Sequence, residues 1–503
     1  MGGRAMEYES RIRNAALRAK VVDAGQAASL IKADMTVGFS GFTATGYPKL
    51  IPQTIAAQGT AKNLTVIAGA SAGDELDGSL ARAGLVRMRV PFNVSKDMRA
   101  GINNGTILFA DQHLGILPEQ LRTGFWGKID YAVIECCAIT EEGGIIPTLS
   151  GGSSQVLCDI AEHVILELNL SHSAELEGMH DFFSVGTLPN NNLLPVQSPA
   201  QHLGNPYVTC DPAKIEAVVI ADDEDQEPRY VKPDEVSHKI ADNIIRLLEN
   251  EISLGRLPEN ITIQSGFGAV GNSVLFGLGA GNFKPFNVYT EVLQDGGLDL
   301  LLNGKVNEVS VCALCLSREY RKRLYEHLDE LHDRVVIRPQ DISNNGAIIQ
   351  RLGVVAMNTA LEADIYGNIN STHVMGTSMM NGIGGSGDFA RHGKLSIFLT
   401  PSTAKKGAIS SIVPMVTHVD HTEHDTHVLI TEHGIADLRG KAPTERAELI
   451  IENCCDPQYR PALRKYFEDA KKVSKGQHTP HDLSKAFSWH IRYMETGDMR
   501  ETA

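Results

Sequence analysis

Residues 287–297 read NVYTEVLQDGG, a stretch in which a short apolar strand pattern runs into a glycine pair and a helix pattern follows. Its carboxylate, Glu291, is costly to bury unless it is paired or used. At the carboxyl end of a strand in an open α/β sheet, a side chain faces the crevice where ligands bind. The stretch therefore predicts a strand–turn–helix unit and makes Glu291 the first candidate for a functional residue.

Strand and helix patterns alternate along the rest of the chain. Short apolar runs typical of buried strands occupy residues 64–68, 131–135, 217–220, 335–337 and 427–430. Helical patterns between them include residues 235–250 and 447–453. The alternation predicts an α/β fold with mainly parallel sheets.

An internal echo predicts two related halves. SGFTATG at residues 40–46 and SGFGAVG at residues 265–271 each follow a strand pattern, and each precedes a strand, an Asp-Gly pair and a helix. The acidic run at residues 221–228 is the clearest break in composition between them. We therefore expect two tandem related domains, residues 1–220 and 221–503. Aligned on the Asp-Gly pairs, Glu291 falls opposite Gly73, so only the second half carries the carboxylate.

Composition excludes several classes of function. The 503 residues carry a formal net charge of −15, which argues against general affinity for nucleic acid or an anionic membrane. No apolar run approaches the roughly 20 residues that a membrane span needs. The eight cysteines include two adjacent pairs, a pattern poorly suited to a disulfide framework. Scattered thiols in a large chain indicate a reducing compartment, so we expect a cytoplasmic protein.

Three glycine-rich turns lie in the second half. The turn at residues 266–271 allows backbone N–H groups to approach a phosphate or carbonyl closely. It resembles GxGxxG only weakly, and the acidic residue of a dinucleotide-binding fold is missing. The cluster at residues 382–387 is either an irregular turn or a set of N–H groups that holds an oxyanion. The turn at residues 402–407 contacts a phosphate or is a solvated loop.

Two further patterns leave alternatives open. Asn344 stands at a predicted helix start, where it either caps the helix or directs its amide at a substrate carbonyl. Four histidines recur at every third position of residues 418–427. Metal binding is one interpretation, but this spacing does not hold one helical face, and capping within a loop is favoured. We therefore expect no metal site.

Five runs in this order resemble the acetyl-CoA hydrolase/CoA-transferase family (class I), most closely its succinyl-CoA:acetate CoA-transferases, and the likeness spans nearly the whole chain. They are residues 41–49, 289–292, 362–368, 379–389 and 431–434. One departure is the acidic run at residues 222–227, where we expect relatives to carry arginine, and it leaves the acid specificity open.

The resemblance implies a role for each matching position. Glu291 matches the nucleophile, and Asn344 matches a side chain that stabilises the oxyanion at the acyl-CoA carbonyl. Phe267 and Gly385 match the backbone donors of a second oxyanion hole. Glu432 matches an active-site carboxylate that positions groups around the nucleophile. Contacts to CoA are implied for Gly266, Phe267, Gly268, Ala269, Val270, Asn381, Gly385 and Lys405.

The implied activity is transfer of CoA between succinyl-CoA and a short acid such as acetate or propionate through a glutamyl-CoA thioester. The alternatives are an acyl-CoA hydrolase on the same scaffold and a non-catalytic acyl-CoA sensor. The resemblance implies no tightly bound cofactor, CoA and carboxylic acids as substrates, and a homodimer.

Overall fold

The computed structural model describes residues 8–70, 73–187, 189–228, 234–266, 269–281 and 283–501. Contacts between residues group the chain into two compact units. The first contains Met1–Arg229 and Asn287–Leu352, and the second contains Tyr230–Phe286 and Gly353–Ala503. The sequence boundary between residues 220 and 221 stays a prediction.

The strands of the main sheets are, in chain order, β1 Thr36–Phe39, β2 Leu64–Ala68, β3 Val86–Val90, β4 Leu108–Phe109, β5 Tyr131–Cys136, β6 His163–Asn169, β7 Ile215–Ala221, β8 Thr262–Ser265, β9 Phe286–Tyr289, β10 Val306–Val311, β11 Val335–Ile337, β12 Val355–Thr359, β13 Leu395–Leu399, β14 Val428–Thr431 and β15 Gly434–Asp437. Shorter strands are Ala138–Ile139, Ile145–Ile146, Val292–Leu293, Ala313–Leu314, Glu362–Asp364, Ile369–Asn370, His373–Val374, Ser378–Met379, Thr403–Ala404, Ile409–Ser410 and Ile412–Val413.

The helices are α1 Ala15–Arg18, α2 Ala24–Ala28, α3 Leu50–Gln58, α4 Ser79–Arg82, α5 Lys96–Asn103, α6 Leu117–Arg122, α7 Ser154–Ile160, α8 Glu235–Ser253, α9 Ala269–Ala280, α10 Asp295–Leu302, α11 Arg318–Glu326, α12 Leu328–Leu331, α13 Gln340–Ser343, α14 Gly346–Arg351, α15 Ser386–His392, α16 Pro443–Asn453, α17 Arg460–Val473 and α18 Ser488–Thr496. Within the described ranges, no helix is long and apolar enough to cross a membrane.

The first unit is built on a seven-stranded sheet of order β4-β3-β2-β1-β5-β6-β7. Its strand pairs are all parallel. Strand β5 shows why the sheet needs cover on both faces. Ala132 and Ile134 enter one apolar cluster, while Tyr131 and Val133 enter another. A parallel sheet with both faces buried reads as a continuous apolar run, which is the pattern found at residues 131–135.

A buried network of charges ties the acidic run to the first unit. The Lys49 ammonium lies 2.6 Å from Glu135 Oε2 and 2.8 Å from Asp225 Oδ1, and all three side chains are at most 2% exposed. Thr45 donates a hydrogen bond to the other oxygen of Asp225. Burial alone would lower the pKa of Lys49, but the Asp225 and Glu135 carboxylates raise it above its ordinary value. The acidic run, which is the clearest break in composition, therefore includes a buried residue, Asp225, that is bonded to Lys49 and Thr45.

The first unit also holds β11-β10-β9, of which β10 and β11 pair in parallel. The second unit holds β8-β12-β13-β14-β15, in which the pairs are parallel except the last. The predicted α/β class with mainly parallel sheets is confirmed.

Candidate functional site

Glu291 lies where the sequence pattern placed it, just beyond the carboxyl end of β9. The residue is half-buried between β9 and the short strand Val292–Leu293. Its backbone carbonyl accepts hydrogen bonds from the N–H groups of Cys312 and Ala313, both at 2.9 Å. These two bonds fix the backbone of Glu291, so its carboxylate extends from a rigid support.

The amide of Asn344 meets this carboxylate. Asn344 Nδ2 donates a hydrogen bond of 2.8 Å to Glu291 Oε1. Ser343 Oγ lies 3.2 Å from Asn344 Oδ1 and 3.3 Å from the Pro339 carbonyl oxygen, so its single proton is shared between two acceptors. The NH2 group of the Asn344 amide faces Glu291, and the amide oxygen faces Ser343. Asn344 is 3% exposed, so this donor is already positioned and desolvated.

Helix α13, whose C-cap is Asn344, is anchored to the same strand that leads to Glu291. The Tyr289 hydroxyl donates to the Ile342 carbonyl at 2.6 Å. Gln340 Nε2 donates to the Leu114 carbonyl at 2.9 Å, and Asp341 forms an ion pair with Arg122. No local sequence pattern singled out these supports, because their partners are distant in the chain.

The helix-capping interpretation of Asn344 is wrong. Asn344 is the C-cap that follows α13, and the N-cap of α14 is the next residue, Asn345. Asn345 Oδ1 accepts hydrogen bonds from the N–H groups of Ala347 and Ile348. Because Asn345 caps α14, the Asn344 amide is available to contact Glu291.

The turn predicted to contact CoA lies in the second unit, between β8 and α9. Gly266 N–H donates to the Met357 carbonyl at 3.0 Å. A Cβ at Gly271 would lie 2.2 Å from the Gly266 carbonyl oxygen, so the close turn requires glycine there. Phe267 and Gly268 fall outside the described residues. Ala269 and Val270 are the first residues of α9.

Asn381 and Gly385 share one turn of the second unit. Asn381 Nδ2 donates to the Ser371 carbonyl at 3.2 Å and to the Gly382 carbonyl at 2.8 Å. Gly384 has a φ of 62°, and Gly385 is the N-cap of α15. The glycine cluster is therefore a tight turn of defined geometry. This geometry is compatible both with a purely structural turn and with a set of N–H groups that holds an oxyanion.

Glu432 supports the hairpin that carries Lys405. Its two carboxylate oxygens accept hydrogen bonds from Ser402, one from the backbone N–H at 2.9 Å and one from the hydroxyl at 2.5 Å. Ser402 leads into Thr403–Ala404, which pairs with Ile409–Ser410 across the exposed turn at Lys405. The structure thus joins the Glu432 and Lys405 positions through Ser402.

The histidines of residues 418–427 contact other groups of the same chain. His421 Nε2 lies 3.0 Å from Ser386 Oγ, and His427 Nδ1 accepts a hydrogen bond from Ser396 N–H at 3.1 Å. The His418 ring lies against that of His373, with centroids 3.9 Å apart and ring planes tilted by 33°. Three of the four histidines thus have contacts within the chain, and both the capping interpretation and the expected absence of a metal stay predictions.

A different trio has the composition of a metal site. Among the residues that the structure describes, only Glu135, His172 and Asp225 bring three such ligand atoms together. Lys49 Nζ already lies within 2.8 Å of Glu135 and Asp225, so an ammonium supplies the positive charge there. The trio does not fit a divalent ion, because the ion and the ammonium would repel at this distance.

Comparison with known proteins finds relatives that cover nearly the whole chain. The family model described as the acetyl-CoA hydrolase/transferase N-terminal domain matches residues 6–220, and that of the C-terminal domain matches residues 321–467. Succinyl-CoA:acetate CoA-transferase of Clostridium kluyveri is 46% identical over 98% of this chain and 92% of its own. Acetyl-CoA hydrolase of Schizosaccharomyces pombe is 41% identical over 98% of both chains.

Among solved structures, RipA from Yersinia pestis aligns with a TM-score of 0.71 over 92% of this chain and 99% of its own, at 22% identity. That likeness concerns the fold alone. The sequence matches confirm the predicted family: the chain belongs to the acetyl-CoA hydrolase/transferase family.

Proposed function

We propose that the protein transfers CoA between succinyl-CoA and a short monocarboxylate such as acetate or propionate, with Glu291 as the nucleophile. The observation that carries the proposal is the 2.8 Å hydrogen bond from the Asn344 amide to the Glu291 carboxylate. A carboxylate on a fixed backbone, with a neutral amide donor beside it, suits attack on a thioester carbonyl. The relatives from C. kluyveri and S. pombe support acyl-CoA chemistry on this scaffold.

The proposed reaction has two halves. A Glu291 carboxylate oxygen attacks the thioester carbonyl, the CoA thiolate leaves, and a mixed anhydride forms. The thiolate then attacks the glutamyl carbonyl and releases succinate, which leaves a glutamyl-CoA thioester. Acetate attacks that thioester, and the displaced thiolate takes the acetyl group from the new anhydride, which regenerates Glu291.

The supporting groups have separate roles in this proposal. Asn344 donates to the oxyanion that develops on the acyl-CoA carbonyl. Gly385 and Phe267 supply backbone N–H groups for the thioester intermediate. Glu432 holds the Lys405 hairpin through Ser402, so its role is positioning. CoA contacts involve the turn of Gly266, Phe267, Gly268, Ala269 and Val270, together with Asn381, Gly385 and Lys405.

The remaining assignments complete the proposal. CoA is a substrate, and the chemistry needs no tightly bound cofactor and no metal. We further propose a cytoplasmic homodimer, with acyl-CoA and short acids as its small-molecule partners and with no nucleic-acid or membrane partner.

The test is to incubate the protein with succinyl-CoA with and without acetate, and to measure acetyl-CoA and free thiol. We expect acetyl-CoA to form only with acetate and free thiol to stay low. Thiol release that does not depend on acetate would instead identify an acyl-CoA hydrolase, the activity named for the S. pombe relative. Binding of acyl-CoA without either product would identify a sensor and overturn the proposal.

Replacement of Asn344 by alanine should lower kcat about 10²- to 10³-fold, the usual cost of losing one oxyanion donor. KM for succinyl-CoA should change less than about threefold, because Asn344 contacts the reacting carbonyl rather than the CoA handle. Steady-state kinetics checks both values.

Asn345→Ala is the matched control. It removes the cap of α14, so it should cost about 1 kcal/mol of stability and leave kcat nearly unchanged. Equal losses of kcat in the two variants would show that α13 and α14 matter only as structure.

A further inference from the structure

The turn that contains Asn381 and Gly385 is closed by a hydrogen-bond chain through Ser386. The Ser386 hydroxyl donates to the Ile383 carbonyl at 2.8 Å, across the turn that includes Gly384 and Gly385. Ser386 is also the first residue of α15. The hydroxyl therefore links the two ends of the segment from Ile383 to Ser386, which contains the Gly384–Gly385 peptide.

His421 holds that hydroxyl from the histidine-rich segment. Its Nε2 lies 3.0 Å from Ser386 Oγ. Because the single hydroxyl proton of Ser386 is engaged with Ile383, the hydroxyl accepts and His421 Nε2–H donates. The ring is fully buried and packs on Phe398 at a centroid distance of 4.8 Å, and the backbone of His421 is held by hydrogen bonds with the backbone of Ile369.

The neighbouring residue, Asp420, supports the other end of the same turn. Its carboxylate accepts hydrogen bonds from Ser371 N–H at 2.6 Å and from the Thr372 hydroxyl at 2.9 Å. The Ser371 carbonyl in turn accepts from Asn381. Two consecutive residues thus brace the start and the end of the turn by separate routes.

We propose that His421 is a positioning residue of the CoA-transfer reaction, acting through Ser386 to set the direction of the Gly385 N–H. The inference rests on the proposed function, in which that N–H donates to an oxyanion. His421 itself touches no substrate. The proposal gives a role to the histidine-rich segment that metal binding does not supply.

Loss of the hydrogen bonds that run from His421 through Ser386 to Ile383 should impair turnover more than substrate binding. We expect Ser386→Ala and His421→Leu each to lower kcat about 10- to 100-fold, because a misdirected donor forfeits part of the usual stabilisation of an oxyanion. KM for succinyl-CoA should stay within about threefold. The double variant should lose no more than the worse single variant, since both break one chain. His421→Gln, whose amide can donate from a similar position, should recover most of the activity.

His392→Gln is the matched control, because His392 lies on α15, is exposed, and has its Nδ1 2.8 Å from the Asp388 carbonyl of the same helix. It should leave kcat unchanged. Circular dichroism checks that each variant is folded. If His421→Leu is unfolded, the milder change Ser386→Ala still tests the proposal.

Hydrogen exchange separates this inference from the proposed function. Peptides covering residues 381–389 should exchange about tenfold faster in Ser386→Ala and His421→Leu than in the wild type, whether or not the protein transfers CoA. Unchanged exchange there, or an unchanged kcat in both variants of an active enzyme, would overturn the role of His421. Absence of transfer by the wild type, with the exchange result as expected, would remove the proposed function but keep His421 as a brace of the turn.

Discussion

Glu291→Gln should abolish CoA transfer, with a fall in kcat of about 10⁴-fold or more, the scale seen when a covalent nucleophile is removed. The amide is nearly the same size as the carboxylate but cannot form the anhydride or the thioester. In the wild type, incubation with an acyl-CoA should add CoA covalently to the peptide that contains Glu291, and borohydride should reduce that thioester. Mass spectrometry of the intact and digested protein measures both events.

The control separates the nucleophile from a general loss of charge. Glu330→Gln replaces an exposed carboxylate on α12 and should leave both turnover and the adduct intact. Affinity of Glu291→Gln for CoA should remain within about threefold, because the CoA-contacting positions are unchanged. Normal turnover by Glu291→Gln, or an adduct at another residue, would contradict the assignment.

Lys49→Met should lower the free energy of unfolding of the first unit by about 3–5 kcal/mol, because it leaves buried Glu135 and Asp225 without their cation. The Lys49 side chain is 0% exposed and lies within 2.8 Å of both carboxylates. Trp126 lies in this unit, and Trp489 lies in the other. Urea unfolding followed by Trp126 fluorescence in a Trp489→Phe background therefore measures the loss.

Lys128→Met is a control of the same chemistry at the surface. Lys128 also contacts two carboxylates, Asp130 and Glu162, but its side chain is 57% exposed. Exposed pairs of this kind contribute about 0–1 kcal/mol, so little stability should be lost. Adding Asp225→Asn to Lys49→Met should recover part of the loss, since one buried charge is removed. Equal effects of Lys49→Met and Lys128→Met would show that the buried network carries no special stability.

Strands were the most predictable part of the fold, because local composition decides them. The run at residues 64–68 is β2 without change, and the run at residues 335–337 is β11. Each is a short apolar stretch that becomes buried on both faces of a parallel sheet. The helix expected at residues 235–250 begins where Asp234 caps it and extends three residues further, to Ser253.

Pairings between distant residues were not predictable from local patterns. Asp225 stands in a run that resembles a solvated linker, yet its side chain is only 2% exposed and is bonded to Thr45 and Lys49. The sequence around Asp225 does not indicate these partners, because they lie in the first fifty residues of the chain. Whether a charge is buried depends on which residues the fold places around it. Hydrophobic periodicity in the sequence does not reveal those residues.

The candidate site shows the same division. Glu291 was identified because a carboxylate at the end of an apolar strand is unusual in itself. The choice between Asn344 and Asn345 as the cap of α14 turns on a shift of one residue, which sequence patterns do not resolve. The contact of His421 with Ser386 joins two segments whose sequence motifs had suggested unrelated roles.

The interrupted course of the first unit sets an order of events during synthesis. Its seven-stranded sheet ends with β7, so all of that sheet has been made before residues 230–286 are translated. Glu291 and Asn344 belong to the returning segment Asn287–Leu352. At usual translation rates the interval between the two segments' completion is on the order of 10 s. The nascent chain must therefore hold its partly finished first unit for that time before the pair of Glu291 and Asn344 can be assembled.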